Sequence, residues 1–316
     1  MAVVEIRDLS KSYGKVEALK GVTFDIGAGV TGLLGPNGAG KSTLLLCVLG
    51  LLEGWHGQVS VLGLDARAEG REVRRRVGFM PEADCYLPEM SGIQAVRHLG
   101  RLGGLPRAEA LRRAHEVLWH VGLGEAVYRE IREYSVGMRQ RFKLAQALVH
   151  DPEVLFLDEP LGGLDPVGRD ELLDLVRDLA QGHGKHVVWS SHILPEVQKV
   201  ANQVVILEQG LFRGIAELGE PSTEGSVWLA EVEGDDRVFR QRLEMRGARL
   251  ASAGQEAGAA LWGRRSLRIE LEGEDVPRQV YAAAIDSGVR VRRLSRDRES
   301  LETVFHRLLD HREETR

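Results

Sequence analysis

The sequence predicts an α/β fold with a mostly parallel sheet, and three observations carry that reading. Residues 30–34, 154–157, 186–190 and 204–207 are short apolar runs of the kind buried on both faces of a parallel sheet. Helical patterns lie between them, as parallel crossovers require. The first run opens directly into Gly35-Pro36-Asn37-Gly38-Ala39-Gly40-Lys41-Ser42-Thr43, which fits G-x-x-x-x-G-K-[ST] and leads at once into a helical run over 41–52.

That loop is a phosphate cradle by its chemistry. Glycines let backbone N–H groups close around an anion, because they lack a Cβ and tolerate positive φ. Lys41 adds a point charge, the Ser42 hydroxyl reaches a Mg²⁺ ion, and the helix behind them points its positive end at the phosphates.

The chain of 316 residues is long enough for two domains, and 43% hydrophobic with 28% charged residues is the balance of a soluble globular protein. A net charge of −5 gives no bulk attraction to nucleic acid. Cys47 and Cys85 lack metal-ligand spacing and fit a reducing compartment. The N-terminus has no basic region before an apolar core, so no signal peptide is expected. The longest apolar stretch, 44–52, is too short to cross a bilayer, which leaves a peripheral role if the protein works at a membrane.

From the N-terminus, residues 3–9 alternate as a strand, Ser12-Tyr13-Gly14 turns, and 16–19 and 22–26 continue the β pattern, with Gly27, Gly29 and Gly32 read as turns. Tyr13 is either a platform for a base or a strand-end aromatic on the sheet. Residues 58–62 form a strand, 66–76 a charged helix face rich in arginine, and 77–80 a strand stopped by Pro81, with Glu82 next. Apolar positions then recur at helical spacing, a helical insertion over about 83–150. Ser135 sits at a helix N-cap, which is either a cap alone or a second phosphate-binding helix end.

The run 154–157 ends in Asp158-Glu159, where open α/β sheets bind ligands. Asp158 suits Mg²⁺, directly or through water. Glu159 suits orientation or deprotonation of an attacking water. A turn over 162–166, a helix over 169–179 and a strand over 186–190 follow, with His192 just past that strand in the same topological position as the acids. Residues 204–207 are read as the last strand of the unit.

Taken together these motifs resemble the nucleotide-binding subunit of an ABC transporter, over about residues 1–220. Gly35 to Thr43 matches Walker A, Val154 to Asp158 Walker B, Ser135-Val136-Gly137-Met138 the signature, Gly162-Gly163-Leu164-Asp165 the D-loop, His192 the switch histidine and Tyr13 the A-loop aromatic. The resemblance implies a P-loop NTPase with an N-terminal antiparallel β portion. It also implies ATP and Mg²⁺ as ligands, and catalysis by Glu159, His192 and Lys41. Tyr13, residues 35–43, Ser135, Gly137 and Asp165 would contact nucleotide, and Ser42, Asp158 and Glu82 would serve the metal.

Two departures from the family pattern matter. Glu82 stands where glutamine is usual, and the signature reads Tyr-Ser-Val-Gly-Met instead of the commoner Leu-Ser-Gly-Gly-Gln. Both, with the run Gly-Met-Arg-Gln-Arg, resemble the ABC-2-type exporter ATPases.

The implied mechanism is a head-to-tail dimer, a homodimer or a heterodimer with another ATPase subunit. Each ATP lies between Walker A of one subunit and Ser135 of the other. A separate multispanning membrane permease would hold the protein at the cytoplasmic face. Residues 221–316 predict an accessory α/β domain, ferredoxin-like in type. Its elements are a strand at 226–232, a helix at 237–246, a strand at 267–271, a helix at 276–287, a strand at 289–294 and a helix at 301–309. Its closing Ser300-Leu301-Glu302-Thr303-Val304-Phe305 resembles the tail of ABC-2-type ATPases.

The rival reading is a soluble ABC ATPase acting on ribosomes or DNA. A single cassette and the lack of sustained heptads weigh against it. A P-loop kinase or GTPase leaves the signature and His192 unexplained.

Overall fold

The computed structural model describes residues 2–218, 227–234, 236–252, 264–271 and 275–296. The chain divides into two compact units, Met1–Leu218 and Gly219–Arg316.

The first unit begins with β1 (Val4–Tyr13), β2 (Val16–Ile26) and β3 (Val30–Leu34), followed by α1 (Lys41–Val48), β4 (Trp55–Val61), β5 (Leu64–Asp65), α2 (Gly70–Arg76) and β6 (Val77–Met80). The helical insertion carries α3 (Gly92–Leu102), α4 (Arg107–His120) and α5 (Val136–Leu148). The core then resumes with β7 (Val154–Asp158), α6 (Pro166–Gln181), β8 (His186–Ser191), α7 (Leu194–Val200), β9 (Gln203–Glu208) and β10 (Leu211–Glu217).

Two sheets result. An antiparallel one runs β2-β1-β4-β5, and a six-stranded one runs β10-β9-β3-β8-β7-β6, parallel except for the β9–β10 pair. β3, β7 and β8 have essentially every residue buried, as their continuous apolar runs require. α1 is apolar nearly all round and is packed into the core with both sheets. Leu44, Leu45 and Val48 share one cluster with Ile6 and Leu9 of β1 and with Leu33, Phe156 and Val188 of the parallel sheet. Burying one such leucine is worth roughly 1.5–3 kcal/mol, so the helix that ends the phosphate loop is firmly anchored.

Three expectations are corrected here. Gly32 is not a turn but the middle of β3, where a Cβ would stand 2.1 Å from Val197 Cγ1; the glycine lets α7 approach the sheet. Residues 16–19 and 22–26 are one strand, bent where its register to β1 shifts around Gly21 (φ 66°). β9 is not the last strand: Gln209 (φ 51°) and Gly210 (φ 79°) make a tight hairpin turn into β10, whose partly exposed residues left no apolar run to read.

The second unit contains β11 (Val227–Glu233), α8 (Arg237–Glu244), β12 (Arg249–Ser252), β13 (Arg264–Glu270), α9 (Val276–Ser287) and β14 (Arg290–Arg296). Its sheet order is β12-β13-β11-β14. Both β11 and β12 run antiparallel to β13, so the two are mutually parallel with β13 inserted between them. This is the split β-α-β-β-α-β arrangement of a ferredoxin-like unit. Phe239 and Leu243 of α8 and Val280 and Ala283 of α9 close its core over Ala230, Val232, Leu267 and Ile269. Strand β12 has no counterpart in the sequence reading. The expected helix over 301–309 and the run Ser300 to Phe305 lie outside the described residues. Among those described, no helix is long and apolar enough to cross a membrane.

Candidate functional site

β3 delivers the chain into the phosphate loop, and the loop is locked before its glycines can do anything else. A Cβ on Gly35 would meet the Leu207 carbonyl at 2.2 Å, and one on Gly40 (φ 103°) would meet the Ala18 carbonyl at 2.5 Å. Gly38 also has positive φ, at 79°. Lys41 is folded back inside, 6% exposed, donating from Nζ to the carbonyls of Gly35 at 2.7 Å and Pro36 at 3.4 Å. Gly40 is the N-cap of α1 and has no side chain to accept the first-turn N–H groups. Those donors and the helix dipole are therefore left to serve an anion.

β7 ends on Asp158 and Glu159 follows it, their backbones diverging sharply. Asp158 is buried, and its Oδ1 accepts a 2.5 Å hydrogen bond from Ser190 Oγ. The same Ser190 oxygen accepts from the Glu159 N–H at 2.9 Å. Glu159 sits at φ 45°, a left-handed conformation that costs a non-glycine residue about 1–3 kcal/mol and persists only where neighbours enforce it. Its carboxylate is shared: Oε1 lies 3.2 Å from Lys41 Nζ and Oε2 lies 3.0 Å from His192 Nδ1. Beyond His192, Ser191 Oγ accepts from the Ile193 N–H at 3.0 Å and donates to Glu196 Oε2 at 3.3 Å. Burial pushes the Glu196 carboxyl up from the usual carboxylate range, and Arg169 at 3.1 Å pulls it back.

A cleft of about 660 Å³ gathers Tyr13, residues 37–43 of the loop, Glu82 and Glu159. Tyr13 ends β1 with its ring about half exposed and Lys11 Nζ 5.0 Å from the ring centre. Gly35 and Pro36 take part through the carbonyls that hold Lys41. Asp158 lies behind this cleft, and His192 connects to it through Glu159.

Ser135, Gly137 and Asp165 are elsewhere. They line a second opening of about 730 Å³ with Met138, Arg141 and Gly163. Ser135 caps α5, its Oγ accepting from the Met138 N–H at 3.2 Å. Asp165 caps α6, its Oδ1 accepting from the Gly168 N–H at 2.9 Å. Gln140 Nε2 donates to the Gly162 carbonyl at 2.9 Å, fixing the turn before Asp165 to α5.

Two site residues escaped the sequence reading. Ser190 looks like the polar end of an apolar strand, and only the β7–β8 register, which sets Asp158 opposite it, shows what it holds. Lys143 looks like one of several helix cations. In the fold it is 2% exposed and donates from Nζ to the carbonyls of Pro81 at 3.1 Å and Glu82 at 2.7 Å, so α5 grips the segment that carries Glu82. Burial holds its ammonium below the ordinary lysine range, with Asp84 opposing.

Comparison with known proteins agrees with this architecture. The family model described as ABC transporter matches residues 19–162. The ABC transporter ATP-binding protein YxlF of Bacillus subtilis (strain 168) is 34% identical across 96% of this chain and 98% of its own length. The daunorubicin resistance ATP-binding protein DrrA2 of Streptomyces coeruleorubidus is 36% identical across 98% of this chain and 96% of its own. Among solved structures, cbiO1 of Clostridium perfringens, part of the ABC transporter complex cbiONQ, superposes with a TM-score of 0.63 at 26% identity, over 69% of this chain and 89% of that one. Relatives alignable from end to end, reached independently of the site geometry, settle the matter: the chain belongs to the ABC transporter ATP-binding proteins and is an ATPase subunit of that family.

Proposed function

We propose that two such subunits, alike or paired with another ATPase, close head to tail around two ATP molecules and so drive export through a separate membrane-spanning permease. One observation carries the dimer: the phosphate loop and Ser135 line different clefts of the same chain. The loop cleft offers the start of α1 and the Ser135 cleft the starts of α5 and α6, and a triphosphate held between the two clefts is neutralised better than by either alone.

In this reading the loop and Lys41 hold the β- and γ-phosphates, and Tyr13 stacks on the adenine. Glu159 polarises the attacking water, a contribution of roughly 10²–10⁴-fold. His192, oriented by Glu159, reaches the γ-phosphate. Ser135 and Gly137 meet the partner's nucleotide, and Asp165 shapes the interface through the start of α6. Ser42, Glu82 and Asp158 offer only oxygen donors, the set Mg²⁺ takes, and the buried Asp158 suits contact through water. Bound there, Mg²⁺ would offset charge on the phosphate oxygens. Residues 219–316 form an accessory unit without a part in hydrolysis.

Export is supported by relatives named for daunorubicin resistance, linearmycin resistance and Nod factor export. The cargo is chosen by the permease, which places this subunit at the cytoplasmic face of the membrane.

Mixing inactive Ser135→Arg and Lys41→Ala subunits tests the shared site. Each mixed dimer rebuilds one intact site, so ATP hydrolysis returns on mixing. No return overturns the head-to-tail arrangement. Co-purification of a multispanning partner tests the assignment to transport, and a purely soluble pool counts against it.

A further inference from the structure

Away from both clefts, three side chains converge where the helical insertion meets the ATPase core. His120 is the last residue of α4, Asp178 lies in the last turn of α6, and His183 lies in the turn Gly182-His183-Gly184 that follows. His120 Nε2 and His183 Nε2 each stand 3.6 Å from Asp178 Oδ2. One ligand atom from each of the three lies within 4.8 Å of the others. The imidazole rings meet edge to face, their centroids 5.1 Å apart.

These distances are too long for hydrogen bonds, and His120 Nε2 is a buried atom with no hydrogen-bond partner among the described residues. They are close to what a metal requires. An ion about 2.0–2.1 Å from two tetrahedral ligands holds those ligands roughly 3.4 Å apart. Two imidazoles and one carboxylate are a donor set that zinc takes readily, with water as the fourth ligand. Arg113 and Lys185 line a hollow of about 200 Å³ with His120 and His183, but each is paired with its own acid: Lys185 Nζ lies 2.7 Å from Asp151 Oδ1 and Arg113 Nη1 lies 3.1 Å from Glu116 Oε2. Their charge is therefore offset before it reaches the three ligands.

We propose that His120, Asp178 and His183 form a binding site for a divalent transition-metal ion of the zinc class. The ion would tie α4 of the insertion to α6 of the core. None of the three residues lines either cleft, so the site is separable from ATP binding.

The test uses the full-length, tag-free protein stripped of metal, titrated with zinc against a chromophoric chelator. The expected result is one zinc per chain, with affinity lowered at least roughly 100-fold in the double variant His120→Asn, His183→Asn. Zinc should also raise the melting temperature of the wild type and leave that of the variant unchanged. His183 is exposed and His120 partly exposed, and an unchanged metal-free melting temperature confirms that the variant is folded. Equal zinc affinity in wild type and variant, or less than one zinc per chain at roughly 100 μM free zinc, a level well above a specific site's dissociation constant, overturns the proposal.

Discussion

Glu159 Oε1 lies 3.2 Å from Lys41 Nζ, so the acid just past the end of β7 and the lysine that starts α1 form one ion pair, 15% and 6% exposed. A phosphate entering the loop competes with Glu159 for Lys41. Glu159→Gln should therefore retain or tighten ATP binding while turnover falls roughly 10²–10⁴-fold. Phosphate release and fluorescent-nucleotide binding, measured side by side, check this. Retention of most activity would remove Glu159 from its role.

Ser190 holds both acids at once, through Asp158 Oδ1 and the Glu159 N–H. Ser190→Ala leaves a buried carboxylate short of a donor, which costs about 1.5–3 kcal/mol. It also frees the strained Glu159 backbone to relax. Turnover should fall with little change in nucleotide affinity, and the melting temperature should drop. A variant with normal turnover would show that the Asp158–Glu159 geometry does not depend on this hydroxyl.

Gly35→Ala tests the loop's shape without touching its charge. The added Cβ faces the Leu207 carbonyl at 2.2 Å, and neither backbone can yield easily. A loss of about 1–3 kcal/mol is expected, seen as a lowered melting temperature together with weakened ATP binding.

The cysteines should part company under alkylation. Cys47 is buried in α1, and burial pushes its thiol up to about 11, so at pH 8 on the order of one in a thousand is ionised. Cys85 is exposed. A thiol reagent should label one site per native chain at pH 8 and two after denaturation, with peptide mapping to identify Cys85. Rapid labelling of Cys47 in the native protein would mean that α1 opens.

Glu82→Gln restores the family's usual residue on the segment that Lys143 holds. Basal hydrolysis should survive this change while transport by the assembled complex is altered. Loss of basal hydrolysis would place Glu82 in the chemistry instead of the coupling.

The parallel strands, the phosphate loop and the acids at the end of β7 were legible because each is written locally. A continuous apolar run, glycines at fixed spacing and paired carboxylates all lie within a few adjacent residues. The α/β character of the second unit was legible from its alternating patterns, but β12, which completes the ferredoxin-like order, was not, since four residues carry too little periodicity to read.

What the sequence by itself determined is which residues are candidates for the chemistry: Lys41, Asp158, Glu159, His192 and Ser135 all stand out by type and position. What only the tertiary structure decided is which of them meet. Strand register sets Ser190 opposite Asp158, and Gly32 lets α7 close on the sheet. The helical insertion carries Ser135 to a different cleft from the loop, and its α4 brings His120 to Asp178 and His183. Sequence proximity cannot encode these pairings, because each depends on packing between elements tens of residues apart, where burial and close approach select the partner.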